Sequence, residues 1–182
     1  MTENKAYVKV NNKKDRTNIE QLLCETFEKV SLYWKDNIGY ISVENNDAFQ
    51  SKLIKLLSFG FQDVGLQASF LIVPFFDDLF IKYLDLFANQ VCTSFEIFVR
   101  NINNESIKKD IKTIINNIEK NDLDTLVAFL NCNCNSLVSA NELYLHRNSF
   151  NYRMNLVTNN IKIAIRDINT IMFLKLVLSF NS

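Results

Sequence analysis

Residues 135–154 constrain the chain more than any other stretch, reading Asn-Ser-Leu-Val-Ser-Ala-Asn-Glu-Leu-Tyr-Leu-His-Arg-Asn-Ser-Phe-Asn-Tyr-Arg-Met. Their apolar positions give two short helices with a tight turn between them. Ala140 falls where two crossing helices come closest, where a larger side chain would force them apart; Leu143, Leu145, Phe150 and Met154 supply the core contacts around it. With Phe150, Met154 and Val157 facing inward, the second helix turns Arg147, Asn148, Asn151, Tyr152 and Asn155 outward, and His146 stands at its entrance.

A helix pair of this layout sets its second helix into the major groove of DNA. Arg147 has the donors for guanine O6 and N7, and the asparagines have the amide geometry for adenine N6 and N7. Ser149, Tyr152 and Arg153 are suited to phosphates, and Ser136 at the head of the first helix completes the candidate contacts. His146 either reads a base or caps the recognition helix. Tyr152 either binds a phosphate through its hydroxyl or packs its ring on the first helix of the domain. A catalytic His146 would need a nucleophile or carboxylate partner that its neighbours do not offer.

Upstream, Ile19, Leu22, Leu23 and Phe27 mark a helix over 15–28, capped by Asp15 or Thr17. Val30–Trp34 and Ile38–Val43 form a hairpin across Lys35-Asp36-Asn37, with Gly39 marking a bulge. Asp47 caps a helix that ends near Gly60, and Leu66–Val73 is a strand stopped by Pro74. Asp77 or Asp78 caps a helix through Leu79, Phe80, Tyr83, Leu84 and Phe87, a simpler role than metal binding or phosphotransfer; Phe95–Val99 closes the sheet as a strand. The expected fold class is α+β: residues 1–103 a small mixed α/β sandwich with helices on one face of the sheet, residues 104–182 an all-α domain. The polar run from Asn101 is the linker, and Ile107, Ile111, Ile114, Ile115 and Ile118 then line one face of a helix opposite Lys108, Lys109 and Lys112. Asp122 opens the next helix, Asn131–Asn135 breaks it, and Asn135 or Ser136 caps the one that follows.

Only three Gly and one Pro argue for long regular elements. The 20 basic and 20 acidic side chains cancel, so no global positive field points to nucleic acid. Residues 121–182 hold Arg147, Arg153, Lys162, Arg166 and Lys175 against Asp122, Asp124, Glu142 and Asp167, one net positive charge. Cys24, Cys92, Cys132 and Cys134 are too few and too irregular for a disulfide framework, and Cys132-Asn-Cys134 lacks a second ligand pair for zinc. No metal or other cofactor is expected. The N-terminus lacks an apolar signal region, and no run reaches the roughly 18 apolar residues of a membrane helix, so no membrane partner is expected and the cytoplasm is the expected compartment.

Leu123-x-Thr125-Leu126 with Phe129-Leu130, then Ala140, Leu143, His146-Arg147-Asn148-Ser149-Phe150 and Tyr152-Arg153, resembles the C-terminal helix-turn-helix domain of PucR and CdaR type bacterial regulators. The resemblance covers about the last third of the chain, its final Leu-rich helix being Asp167–Phe180 with Leu174, Leu176 and Leu178. Ser149 and Phe150 depart from the Thr and Leu usual in the family, and Ala164 and Asn169 dilute the segment before the last helix. The resemblance implies a transcriptional regulator that binds double-stranded DNA, with an upstream domain resembling a shortened form of the family's mixed α/β domain. The reading that follows is a sequence-specific regulator acting as a homodimer, with a small-molecule effector as a further partner and no enzymatic activity. The alternative is a small-molecule or protein sensor whose helix-turn-helix serves dimerisation instead of DNA.

Overall fold

The computed structural model describes residues 3–44, 46–72, 77–160 and 168–179. The chain divides into two compact units, Met1–Ile97 and Phe98–Ser182, and the division falls inside a helix.

The first unit is built on β1 (Glu3–Val10), β2 (Val30–Lys35), β3 (Ile38–Glu44), β4 (Ala68–Ile72) and β5 (Val91–Thr93), in the order β2-β3-β1-β4-β5. β1 is central and runs antiparallel to β3 and β4, whereas β4 and β5 are parallel. The helices α1 (Lys13–Thr26) and α2 (Phe49–Val64) cover one face, where Ile19, Leu23, Leu53 and Leu56 pack with Ala6, Val8, Ile41, Val43 and Phe70. Each Val, Leu, Ile or Phe among them that is fully removed from water contributes about 1.5–3 kcal/mol before the entropy of ordering the chain is counted. Leu71 and Cys92 are buried on the opposite face, and the 3-10 turn Leu84–Phe87 packs against β4. The cover is therefore not confined to the one face expected.

Several local expectations are corrected. β1 is a strand that the residue pattern of 3–10 does not announce. Asn12, not Asp15 or Thr17, caps α1, its Oδ1 accepting from the Asp15 amide at 2.8 Å. Gly39 lies in unbroken register between Val8 and Trp34 and marks no bulge. A Cβ there would come within 2.8 Å of Val8 Cγ1, so the glycine permits close packing of neighbouring strands. No side chain caps α2, and the helix runs past the buried Gly60 to end at Gly65, whose φ of +67° closes it. The helix expected over Leu79–Phe87 is divided into α3 (Asp77–Ile81) and the 3-10 turn. Val73 and Pro74 lie outside the described residues, as do the side chains of Asp77 and Asp78.

Phe95–Val99, expected as a strand, is helical in α4 (Ser94–Arg100). The reason is a capping box: Thr93 Oγ1 accepts from the Glu96 amide at 3.1 Å while Glu96 Oε2 accepts from the Thr93 amide at 2.7 Å. The β-favouring Phe and Val side chains do not outweigh these two reciprocal bonds.

The second unit holds α5 (Glu105–Asn116), α6 (Lys120–Asn131), α7 (Ser136–Glu142), α8 (Arg147–Asn160) and α9 (Ile168–Ser179). Asn104 caps α5, accepting from the Ser106 amide at 3.0 Å, and Ile107, Ile111 and Ile115 of the isoleucine stripe are buried, with Ile118 half-buried. Leu126, Phe129 and Leu130 of α6, Ala140 of α7, Phe150, Met154 and Val157 of α8, and Phe173, Leu174 and Val177 of α9 are buried. The Phe129 and Phe150 rings lie 6.3 Å apart between centroids, which joins α6 to α8. Asp167 and Phe180, the expected ends of the last helix, lie outside the described residues, as do Lys162, Ala164 and Arg166.

Candidate nucleic-acid interface

Asn135 sets the start of α7 by accepting from the amides of Leu137 and Val138 at 3.1 and 3.2 Å. Ser136 is thus the first helical residue and not the cap, and it is half-buried. Ser139, wholly buried, donates its hydroxyl to the Asn135 carbonyl at 2.7 Å, so this short helix carries its polar groups without an orphan. Ala140 is 1% exposed, in keeping with the close helix crossing expected of it. α7 closes with the Leu145 amide donating to Ala140 O at 2.8 Å and the Tyr144 amide to Asn141 O at 3.1 Å, the paired bonds of a Schellman ending.

His146 then opens α8. Its Nδ1 accepts from the Asn148 amide at 3.3 Å, a long bond, and its carbonyl accepts from the Phe150 amide at 3.0 Å. This gives the ring a capping role. Nε2 is its remaining polar atom.

Phe150, Met154 and Val157 anchor α8 to the core, and Arg147, Asn148, Ser149, Asn151, Tyr152, Arg153 and Asn155 are all exposed. At about 100° per residue, Asn148, Tyr152 and Asn155 stand opposite the buried stripe, with Arg147 and Asn151 on one flank and Ser149, Arg153 and Leu156 on the other. Tyr152 is 66% exposed, so its ring is not packed away on a neighbouring helix. The second flank and the start of α6 line a groove of about 540 Å³, whose lining includes Glu119, Asn121 and Asp122 together with Ser149 and Arg153. Neither these acids nor Tyr144 is among the site residues expected from sequence. Tyr144, in the turn before His146, is 97% exposed. An aromatic residue inside a helix-to-helix turn was the one available signal.

Among the described residues, no three His, Cys, Asp or Glu side chains are grouped to hold a metal ion. Cys132 and Cys134 in the α6–α7 turn are free thiols; burial holds the Cys134 thiol above its usual range, opposed by the positive charge of Lys175. No described helix is long and apolar enough to cross a membrane.

With this geometry in place, comparison with known proteins is decisive for one segment: residues 122–179 match the PucR C-terminal helix-turn-helix domain. The C-terminal part of this chain is a PucR-type helix-turn-helix domain. It takes in nearly all of α6 and the whole of α7, α8 and α9. A solved structure similar to this chain is a regulator of polyketide synthase expression from Bifidobacterium adolescentis, at 10% identity and a TM-score of 0.46, covering 98% of this chain and 80% of that one. No curated protein matches the chain.

Proposed function

We propose that the chain binds double-stranded DNA sequence-specifically through α8. The supporting observation is that α8 buries Phe150, Met154 and Val157 and leaves Arg147, Asn148, Asn151, Tyr152, Arg153 and Asn155 exposed along one continuous helix. Its 14 residues span about 21 Å, enough to run within a major groove about 12 Å wide. Arg147, Asn148, Asn151 and Asn155 read base edges, with His146 Nε2 beside them. Ser136, Ser149, Tyr152 and Arg153 hold phosphates. The chain acts as a homodimer whose two recognition helices reach half-sites about 34 Å apart. Residues 104–182 are the DNA-binding domain, and residues 1–103 serve dimerisation or sense a small-molecule effector. The cytoplasm is the compartment such work requires.

One observation favours a second reading, in which the helix-turn-helix is a dimerisation or sensing module. Glu119 and Asp122 line the same groove as Arg153, and their charge opposes a phosphate there. A mobility-shift titration of wild type and Arg147→Ala separates the two. The DNA reading expects wild type to shift a selected duplex and the variant to shift it more weakly. Salt-independent self-association without DNA binding favours the second.

A further inference from the structure

Six described residues adopt a left-handed backbone, and Asp36, Gly65, Asn89 and Asn133 are of types that tolerate it. Cys134 and Tyr144, at φ 61° and 53°, are not. Cys134 is half-buried, whereas Tyr144 is 97% exposed and makes no side-chain hydrogen bond or ring contact among the described residues. It occupies the position after the α7 C-cap that glycine ordinarily fills, and it leaves an aromatic ring in water. Folding gains nothing from a tyrosine there. From such an outlier one looks for a use outside the fold.

Tyr144 lies two residues before His146 and three before Arg147, at the end of α8 that enters the groove. We infer that Tyr144 is a DNA-backbone contact, laying its ring against a deoxyribose at the groove wall and donating its hydroxyl to a phosphate. This rests on the proposed DNA binding by α8. Being neutral, the contact releases no counterion, in contrast to Arg153, and being to the backbone it is indifferent to sequence.

The test uses the full chain with a mixed-sequence DNA duplex, read by anisotropy over a salt series, together with thermal melting. Tyr144→Asn is expected to bind roughly tenfold more weakly, the size of one hydrogen bond to a charged group. The slope of log affinity against log salt stays as in wild type, and the melting midpoint rises by a few degrees as the strained tyrosine is relieved. Tyr144→Phe keeps part of the binding through its ring. Wild-type binding by Tyr144→Asn overturns the inference while leaving DNA binding by α8 intact, as does a change in self-association without a change in DNA affinity. A lowered midpoint in Tyr144→Asn also overturns it, since the tyrosine would then serve the fold. If wild type itself fails to bind DNA in Arg147-dependent fashion, the inference falls together with its premise.

Discussion

The sheet unit and the helical unit both expose a helix face, and the two faces differ in kind. α2 leaves Ile54, Phe59 and Phe61 about half-exposed, while polar groups of the same unit such as Asn12, which caps α1, and Thr93, which pairs with Glu96, serve the fold. α8 exposes hydrogen-bond donors and acceptors in a row and keeps its aromatic anchor, Phe150, inside. Scattered apolar exposure says little about a partner, because much of any protein surface is apolar. A row of Arg and Asn groups on a rigidly anchored helix is informative, because it matches the edges of bases.

The most drastic way to break that contrast is to remove the anchor. Phe150→Ala deletes a wholly buried ring in contact with Phe129 and is expected to cost about 3–5 kcal/mol, a large part of a domain's stability, measured by denaturant unfolding. DNA binding is lost with the fold. Arg147→Ala, on the exposed flank, should leave unfolding unchanged and weaken binding to a selected duplex by about 1–3 kcal/mol, relaxing specificity at one base position. Should Phe150→Ala and Arg147→Ala affect stability alike, the division of α8 into an anchoring side and a reading side is wrong.

His146 sharpens the contrast, since it belongs to both sides. Loss of its Nδ1 cap in His146→Ala is expected to cost about 1 kcal/mol, while His146→Asn, which retains a capping oxygen, unfolds close to wild type. If His146→Asn nevertheless binds DNA more weakly, the ring has a second role at a base. Smaller still is the effect expected at the cysteines. Cys24 is exposed, whereas burial raises the Cys134 thiol, so near neutral pH less of Cys134 is thiolate and Cys24 is labelled first by iodoacetamide. Equal rates would mean that the α6–α7 turn is open.

The helical unit was far more legible in sequence than the sheet unit, for physical reasons. Phe150, Met154 and Val157 repeat at helical spacing along α8, and a helix face is fixed by such spacing alone, so the inward set and the exposed Arg and Asn set followed directly. Strand identity depends on partners far along the chain, which is why β1 went unseen although it is the central strand. At Phe95–Val99 the apolar β-favouring residues misled because two reciprocal bonds between Thr93 and Glu96 decide the helix. Gly39 shows the same limit, its reason lying in Val8 on a strand thirty residues away in sequence. At the site, Glu119 and Asp122 reach the flank of α8 only through the folding of α6 against it, and the left-handed turn at Tyr144 is a property of the backbone that no residue type there announces.

Whether α8 reads DNA is tested most directly by the salt dependence of binding to two duplexes, one selected for affinity and one of mixed sequence. Wild type is predicted to prefer the selected duplex and to weaken linearly in log affinity with log salt on both, Arg153→Ala to flatten that slope by about one, and Arg147→Ala to lose about 1–3 kcal/mol of the preference. Equal binding of the selected duplex by wild type and Arg147→Ala, or no salt-dependent binding by wild type, would contradict the assignment of α8 as the recognition helix.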